Sequence, residues 1–478
     1  MTLMPTYDDM SAVALADHPA AGSRRPPSAF RLTIGRFEID AVAAHAAVLV
    51  IASGLERLNV PTPVGRFHLG LFVFAASAVI LFRRPRMVMR WHLAAFAILV
   101  AALVPSAVHS VDPIRSAAAF VRLFICYGFV ALSMAELYAR DPAKTIAGVM
   151  AGLRLSAAVL AVQYLTKQNV PGSSYGGSRF HLFFFEPSYL SFAFAPLAVW
   201  TMLSLAHATS NLKSCLWIVV DVTCLVVLLA ATQSMFVAAA VGVALGVTVL
   251  TARIHAGTSV FRLAAMAGAA AIACLIAVMG TDGGSLAGKT ARGLWRADDK
   301  IDYLIRRSQG RFPSFETAVR IGRDHPIRGI GFGAYQSFTE RSGRRYLKHA
   351  QSSGGRRLLV QRRHGSTAVN VLAGTFAESG VIGLSGFTLA AGWLLLAGVA
   401  AVRDPDATPI TAVGPLALIV QAALLMAEAN PYRAYVWTTV GLAIGAIAAR
   451  RVADASPMAS DPVSPASQIH PPARRSAA

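Results

Sequence analysis

The sequence predicts an all-α, polytopic membrane protein, and three observations carry that. Only 14% of its 478 residues are charged and 55% are hydrophobic, against about 25% charged in an average soluble domain. The shortfall is concentrated in runs of roughly 20 apolar residues, the length an α-helix needs to cross the hydrocarbon layer. Those runs are apolar on every face, whereas a helix of a soluble protein carries one apolar stripe.

The first 30 residues hold no apolar core followed by a small-residue cleavage site. Residues 1–37 therefore read as a disordered cytoplasmic tail rather than a cleaved signal. Twelve spans follow, near 38–54, 66–82, 91–109, 116–137, 145–166, 184–205, 214–231, 234–252, 261–280, 381–401, 410–428 and 433–449. Nine of them fill 38–280. Residues 281–365 form a basic loop with short helices, and 366–450 hold an amphipathic segment and the last three spans. Residues 451–478, rich in Pro, Ser and Ala, read as a second disordered tail. Cys126, Cys215, Cys224 and Cys274 all lie in apolar runs without C-x-x-C spacing. They predict neither a zinc site nor a disulfide framework and read as small buried hydrophobes.

An even number of spans puts both termini on one side, and short-loop Lys and Arg say which side. Sixteen basic residues fall in the loops that share a side with the termini, among them Arg24, Arg25, Arg83, Arg84, Arg450 and Arg451. Six fall opposite: Arg57, Arg66, Arg115, Lys167, Arg179 and Arg433. The termini are expected in the cytoplasm, and the 281–365 loop on the other side. That loop carries eighteen Lys/Arg against seven Asp/Glu. Its length exempts it from the charge rule, yet so much positive charge beside a membrane points to an anionic partner. Lipid headgroups are one reading, and a phosphorylated, lipid-borne substrate is the sharper one.

Gly283 to Thr290 fits the phosphate-loop pattern, but a membrane span precedes it where a strand is needed, so a nucleotide site is rejected. Gly329-Ile-Gly331-Phe-Gly333 is a glycine-rich turn after a helix over Pro313–Arg323 whose Phe315, Val319 and Gly322 share one side. Asp324, His325 and Pro326 end that helix. Glu186-Pro187-Ser188 opens the sixth span, either as a capped helix start or with Glu186 lining a polar cavity. His364 stands beside Arg362 and Arg363, which favour its neutral, proton-accepting form. Asp40, Arg122, Arg154 and Asp221 are ionisable within the spans; Arg122 or Arg154 could pair with Asp221.

Twelve spans, Arg311 at the start of a loop helix, then Pro326, Gly329, Gly331, Gly333 and Tyr335, then His364 and Asn370, then Glu378-Ser-Gly380-Val-Ile-Gly383 make a pattern. It resembles the O-antigen ligase and O-antigen polymerase superfamily of bacterial envelope enzymes, over roughly residues 40 to 450. Glu186-Pro187-Ser188 is similar to the head of the sixth span in exopolysaccharide and capsule polymerases of that group. The resemblance implies a C-type, metal-independent, inverting glycosyltransferase of the bacterial inner membrane that needs no cofactor. Its donor would be a glycan on undecaprenyl pyrophosphate. Arg311, Arg179 and Arg320 would hold the pyrophosphate, and His364 and Glu186 would serve as acid or base. Pro187, Ser188, Gly329, Gly331, Gly333, Tyr335, Asn370 and Gly380 would shape the site. Its partners would be the bilayer, a chain-length regulator and a flippase of the same pathway, with no nucleic acid.

The leading expectation is a polymerase that joins lipid-linked repeat units, tipped by the Glu-Pro-Ser feature. A ligase that moves the finished glycan to a lipid core or protein shares the donor chemistry and differs in its acceptor. A lipid-linked oligosaccharide transporter is the reading from another class. It fits poorly, because the internal repeats usual in transporters are missing from the sequence.

Overall fold

The computed structural model describes residues 31–34, 37–62, 65–83, 85, 90–168, 180, 182–184, 187–207, 211–232, 234–252, 293, 295–296, 298, 303, 311–346, 368, 370–404, 407–427 and 433–454. Five of its helices are long and apolar enough to cross a membrane: Trp91–Val108, Pro113–Arg140, Pro142–Thr166, Leu212–Thr232 and Val371–Val402. Five shorter apolar helices accompany them: Ala41–Ser53, Leu69–Leu81, Ala195–Ala206, Phe236–Thr251 and Pro409–Leu425. The chain is thus a mostly helical, membrane-embedded protein. The expected span at 261–280 lies outside the described residues.

In chain order the helices are α1 (Ala41–Ser53), α2 (Leu69–Leu81), α3 (Arg90–Val108), α4 (Pro113–Ile125), α5 (Leu132–Arg140), α6 (Pro142–Thr166), α7 (Leu190–Ala193), α8 (Ala195–Ala206), α9 (Leu212–Thr232), α10 (Met235–Ala252), α11 (Arg311–Asp324), α12 (Tyr335–Tyr346), α13 (Val371–Val402), α14 (Pro409–Leu425) and α15 (Ala434–Asp454). The fold is not purely α. Strands Arg31–Ile34 and Phe37–Asp40 pair antiparallel, as do Asn59–Thr62 and Gly65–His68. In each pair the strands satisfy one another's backbone groups. The first lies largely inside the segment expected as an unstructured tail.

Where helices approach closely, the sequence supplies glycine at four-residue spacing. Gly148 and Gly152 on α6 face Ala43 and Ala47 of α1. Gly441 and Gly445 on α15 face Ala131, Met134 and Tyr138. With lipid tails as apolar as leucine, close backbone contact of this kind is what drives helices together in a bilayer. The larger core is mainly aliphatic and holds the fully buried aromatics Phe74, Tyr138, Phe180, Phe192, Phe194 and Tyr435.

Several expectations need correction in detail. The sixth span is not one helix: a 3-10 turn over Pro187–Tyr189 leads to α7, a break at Phe194, and then α8. The buried Gln421 amide on α14 donates to Phe192 O at 2.8 Å and to Thr439 Oγ1 at 2.8 Å, so a carbonyl beside that break is satisfied from a neighbouring helix. The fourth span carries a π turn over Cys126–Ala131 between α4 and α5. Asp40 is not within a span but caps α1, accepting from Val42 N at 3.0 Å and pairing with Lys144 at 2.7 Å. Of the two partners considered for Asp221, Arg154 holds it, with bonds of 2.6 and 3.0 Å, and Trp217 lies over the same guanidinium. A bidentate, hydrogen-bonded pair is how two opposite charges are tolerated between apolar helices.

Candidate functional site

The structure divides the sequence-predicted residues into three groups. Arg179, Glu186 and His364 lie outside the described residues. Arg311 is the first residue of α11, and Arg320, about two and a half turns on, is bonded to Glu316 of the same helix. Ser188 and Pro187 form the 3-10 turn, where Ser188 O accepts from Ser191 Oγ at 2.6 Å. Asn370 caps α13: its Oδ1 accepts from Ala373 N at 2.9 Å and its Nδ2 donates to Met426 O at 2.6 Å.

The glycine motif has a structural purpose. Helix α13 breaks at Gly380 (φ 61°, ψ −162°), which leaves backbone groups without partners within the helix. The loop after α11 supplies them. Ile330 N donates to Ala377 O at 3.0 Å, and Gly331 N to Glu378 O at 2.9 Å. In the opposite sense, Val381 N donates to Pro326 O at 2.7 Å. A Cβ on Gly329 would meet the Glu378 backbone, and one on Gly380 would meet Ile327 O. Both also have positive φ, so glycine is required twice over. Gly331 sits against Ser110 and Gly333 against Ala119, which seats the loop between α13 and the α3–α4 turn.

Glu378 completes this clasp by accepting from Tyr335 N at 3.2 Å, the first residue of α12. Tyr335 itself is buried, and its hydroxyl donates to Ser314 O at 3.4 Å. Burial first, and then the Glu378 charge, push its phenol above its ordinary pKa. The buried residues of α11 include Ser314, Thr317, Ala318 and Ile321, and Phe315 is exposed. Gly322 lies under Phe376. At the start of α4, burial of Asp112 opposes ionisation, but the Arg115 amide, the Ser337 hydroxyl and the Arg115 and Arg341 guanidiniums outweigh it. They hold its carboxyl below the usual range.

A second constellation brings together residues from distant parts of the chain. Beyond the end of α1, Glu56 is 1% exposed, and its Oε1 lies 2.9 Å from Arg433 Nη1, immediately before α15. The Arg433 guanidinium also stands over the Tyr189 ring at 5.1 Å. Tyr189, Phe184 and Phe192 surround the buried Tyr435 at ring separations of 5.4 to 6.2 Å. Arg57 fixes the chain entering this turn, its backbone N donating to Phe183 O at 3.0 Å and its Nε to Phe184 O at 2.9 Å. The strand Gly65–His68 returns His68 to the same place, within electrostatic reach of Arg433 and Arg122.

Arg122 completes the group. It is the tenth residue of α4, about 14 Å along that helix. It is nonetheless exposed, and it is electrostatically coupled to Arg433 and Glu56. Ionisable residues within a membrane span normally face the bundle interior or a wet cavity rather than lipid. Among the described residues Arg122 makes no ion pair or hydrogen bond. Two guanidiniums, a histidine and one carboxylate leave local positive charge in a low-dielectric setting. That arrangement attracts an anion, and arginine geometry suits phosphate oxygens. Among the described residues no cluster of His, Cys, Asp and Glu could hold a metal ion.

The sequence marks Arg122 as an ionisable residue in a span and leaves Asp221 as a partner for either Arg122 or Arg154. Glu56 and His68 drew no notice, and Arg433 was counted only as loop charge. The available signal was Glu56-Arg57 directly after an apolar run, since a carboxylate at a helix mouth needs a partner. Compared with the profiles of known protein families and with characterised proteins, the chain matches none.

Proposed function

We propose that the protein is a membrane glycosyltransferase that polymerises undecaprenyl-pyrophosphate-linked repeat units at the outer face of a bacterial inner membrane. In this reading the chain spans the membrane twelve times with both termini cytoplasmic. The observation that supports it is Arg122, open and without an ionic partner among the described residues, beside the buried Glu56–Arg433 pair at one end of a membrane-embedded bundle. The resemblance of the Arg311 to Gly380 pattern to O-antigen polymerases and ligases adds the reaction class.

The chemistry follows from charge. The acceptor hydroxyl oxygen forms a bond to the anomeric carbon as the bond from that carbon to the pyrophosphate oxygen breaks. The hydroxyl proton passes to His364 or Glu186 as general base. The leaving diphosphate gains negative charge as the bond breaks, and fixed guanidiniums stabilise it more in the transition state than in the ground state. Arg122 and Arg433 are placed to do this, with Arg311 and Arg179 as further ligands from the resemblance. The polyprenyl tail lies between helices and orients the sugar.

The test is purified protein in detergent with lipid-linked repeat units and no ion gradient. Wild type is expected to yield polymer, and Arg122→Ala to lose on the order of a hundredfold in rate, as for removal of one transition-state donor. Full activity in Arg122→Ala would remove the carrying observation. Single repeats persisting in a deletion strain mark a polymerase, and polymer left unattached marks a ligase.

A further inference from the structure

We infer that His68 is a further ligand of the diphosphate, donating a hydrogen bond from Nε2 as a neutral imidazole beside Arg122. The inference rests on the reading that this site takes a diphosphate, and it adds a binding residue that the resemblance does not supply. It leaves the buried Glu56–Arg433 pair as it stands.

Three features carry it. First, the backbone fixes His68 at the end of α1, in the hairpin outside α2. It pairs with Asn59 across the hairpin, and Leu69 N donates to Leu58 O at 2.6 Å, two residues past Glu56. Gly70 packs so closely on Ala52 O that a Cβ there would collide with it. Second, the ring is uncommitted. Nδ1 is buried without a hydrogen-bond partner, and among the described residues Nε2 has none either, which leaves Nε2 as the open edge of a half-buried side chain. Third, the nearest free cation is Arg122, which is exposed and, among the described residues, without an ion pair or hydrogen bond; it is electrostatically coupled to His68.

These surroundings fix the tautomer. Nδ1 lies 3.1 Å from where a Cβ on Gly70 would be, so it faces the first turn of α2. The positive end of that helix favours a lone pair there, and the one proton of the neutral ring then sits on Nε2. Burial first, and then the guanidiniums of Arg433 and Arg122, disfavour a positive charge on the ring. No other charged group faces it among the described residues except Glu56, which is paired to Arg433; Asn59 across the hairpin is neutral. A phosphate oxygen held by Arg122 therefore meets an N–H donor, and a hydrogen bond to a charged oxygen is stronger than one between neutral groups. The diphosphate is oriented without a third cation to retain it after transfer. Nε2 in this tautomer has no lone pair, so His68 takes no proton from the acceptor hydroxyl, and that step stays with His364 or Glu186.

The measurement is inorganic pyrophosphate binding to the detergent-purified full chain, by calorimetry. Wild type is expected to bind pyrophosphate, and Arg122→Ala to lose that binding. His68→Ala removes the donor and is expected to bind about tenfold more weakly. His68→Gln keeps an uncharged N–H donor of similar reach and is expected to stay within about threefold of wild type. If His68→Ala does not fold, His68→Ser suits the position before α2 and is too short to reach the ligand, so the same loss is expected. The ratio of wild-type to His68→Ala affinity is expected to be the same at about pH 6 and about pH 8, because a neutral donor gains no charge between them. A ratio that grows several-fold toward pH 6 marks a cationic ligand and overturns the inference. So does a folded His68→Ala that binds as wild type does, or a His68→Gln that binds as poorly as His68→Ala. Each of these, with Arg122→Ala not binding, leaves the diphosphate reading standing. Wild type that ignores pyrophosphate overturns both.

Discussion

The glycine clasp and the Glu56–Arg433–Arg122 group use opposite principles. In the clasp, backbone groups freed by the Gly380 break are met by the loop, with Ile330 N, Gly331 N and Val381 N all donating. In the charged group, Glu56 pairs with Arg433, and Arg122 is exposed without an ion pair among the described residues. The first is a joint between a loop and a broken helix, where any added atom collides. The second is a set of charges held in place with its electrostatics incompletely balanced. Satisfied, close-packed regions specify structure, and unbalanced, pre-organised ones act on ligands.

The comparison breaks most visibly at Gly380. Gly380→Val puts a β-branched side chain at φ 61° and against Ile327 O. The expected loss is about 3 kcal/mol or more, from backbone strain and collision together. Fluorescence-detected gel filtration of the membrane extract should show little monodisperse protein. A well-folded Gly380→Val would mean that the break is not required.

Next comes the charged pair. Arg433→Ala leaves Glu56 buried without its cation, a change that costs about 3 to 5 kcal/mol in comparable buried pairs. The double variant Glu56→Gln/Arg433→Gln removes both charges and should recover most of that loss. Thermal unfolding of the three proteins in one detergent separates charge imbalance from lost packing. If the double variant is as unstable as Arg433→Ala, the packing of Arg433 on Tyr189 matters more than its charge.

Arg122 sharpens the contrast because it belongs to the same group yet carries no described bond. Arg122→Ala should therefore shift stability by under about 1 kcal/mol while abolishing pyrophosphate binding. A large loss of stability would show that Arg122 is structural and that the group is an ion-pair network rather than a site.

How these regions appeared in the sequence follows from the range of their interactions. The clasp was legible because glycine with positive φ is a local requirement, and because Gly329, Gly331, Gly333 and Gly380 are spaced as a pattern. Its purpose was not legible, since nothing local says that the loop feeds hydrogen bonds to a helix about fifty residues later. The end of α11 is legible in Asp324-His325-Pro326, a local signal; that Ala318 and Ile321 are buried depends on where α13 lies and is not. The charged group was barely legible. Glu56, His68, Arg122 and Arg433 meet through tertiary packing, with no shared spacing to betray them. That Asp221 needs a cation was legible because a lone charge in an apolar span requires a partner, but the choice of Arg154 over Arg122 rests on packing that the sequence does not show.

The smallest expected effect concerns Arg320, expected from the resemblance to hold pyrophosphate. It is bonded to Glu316 one turn back on α11, and the two side chains are 38% and 47% exposed. An exposed pair four residues apart on a helix contributes about 0.3 to 0.5 kcal/mol. Arg320→Ala should shift stability by no more than that, and it should leave pyrophosphate binding as in wild type, because its one described ionic partner is a neighbour on its own helix and not the Arg433 group. A tenfold loss of binding in Arg320→Ala, with stability unchanged, would return Arg320 to the substrate. It would then move the centre of the site from the mouth of α1 and α15 toward α11, since both sets could not hold the same diphosphate alone.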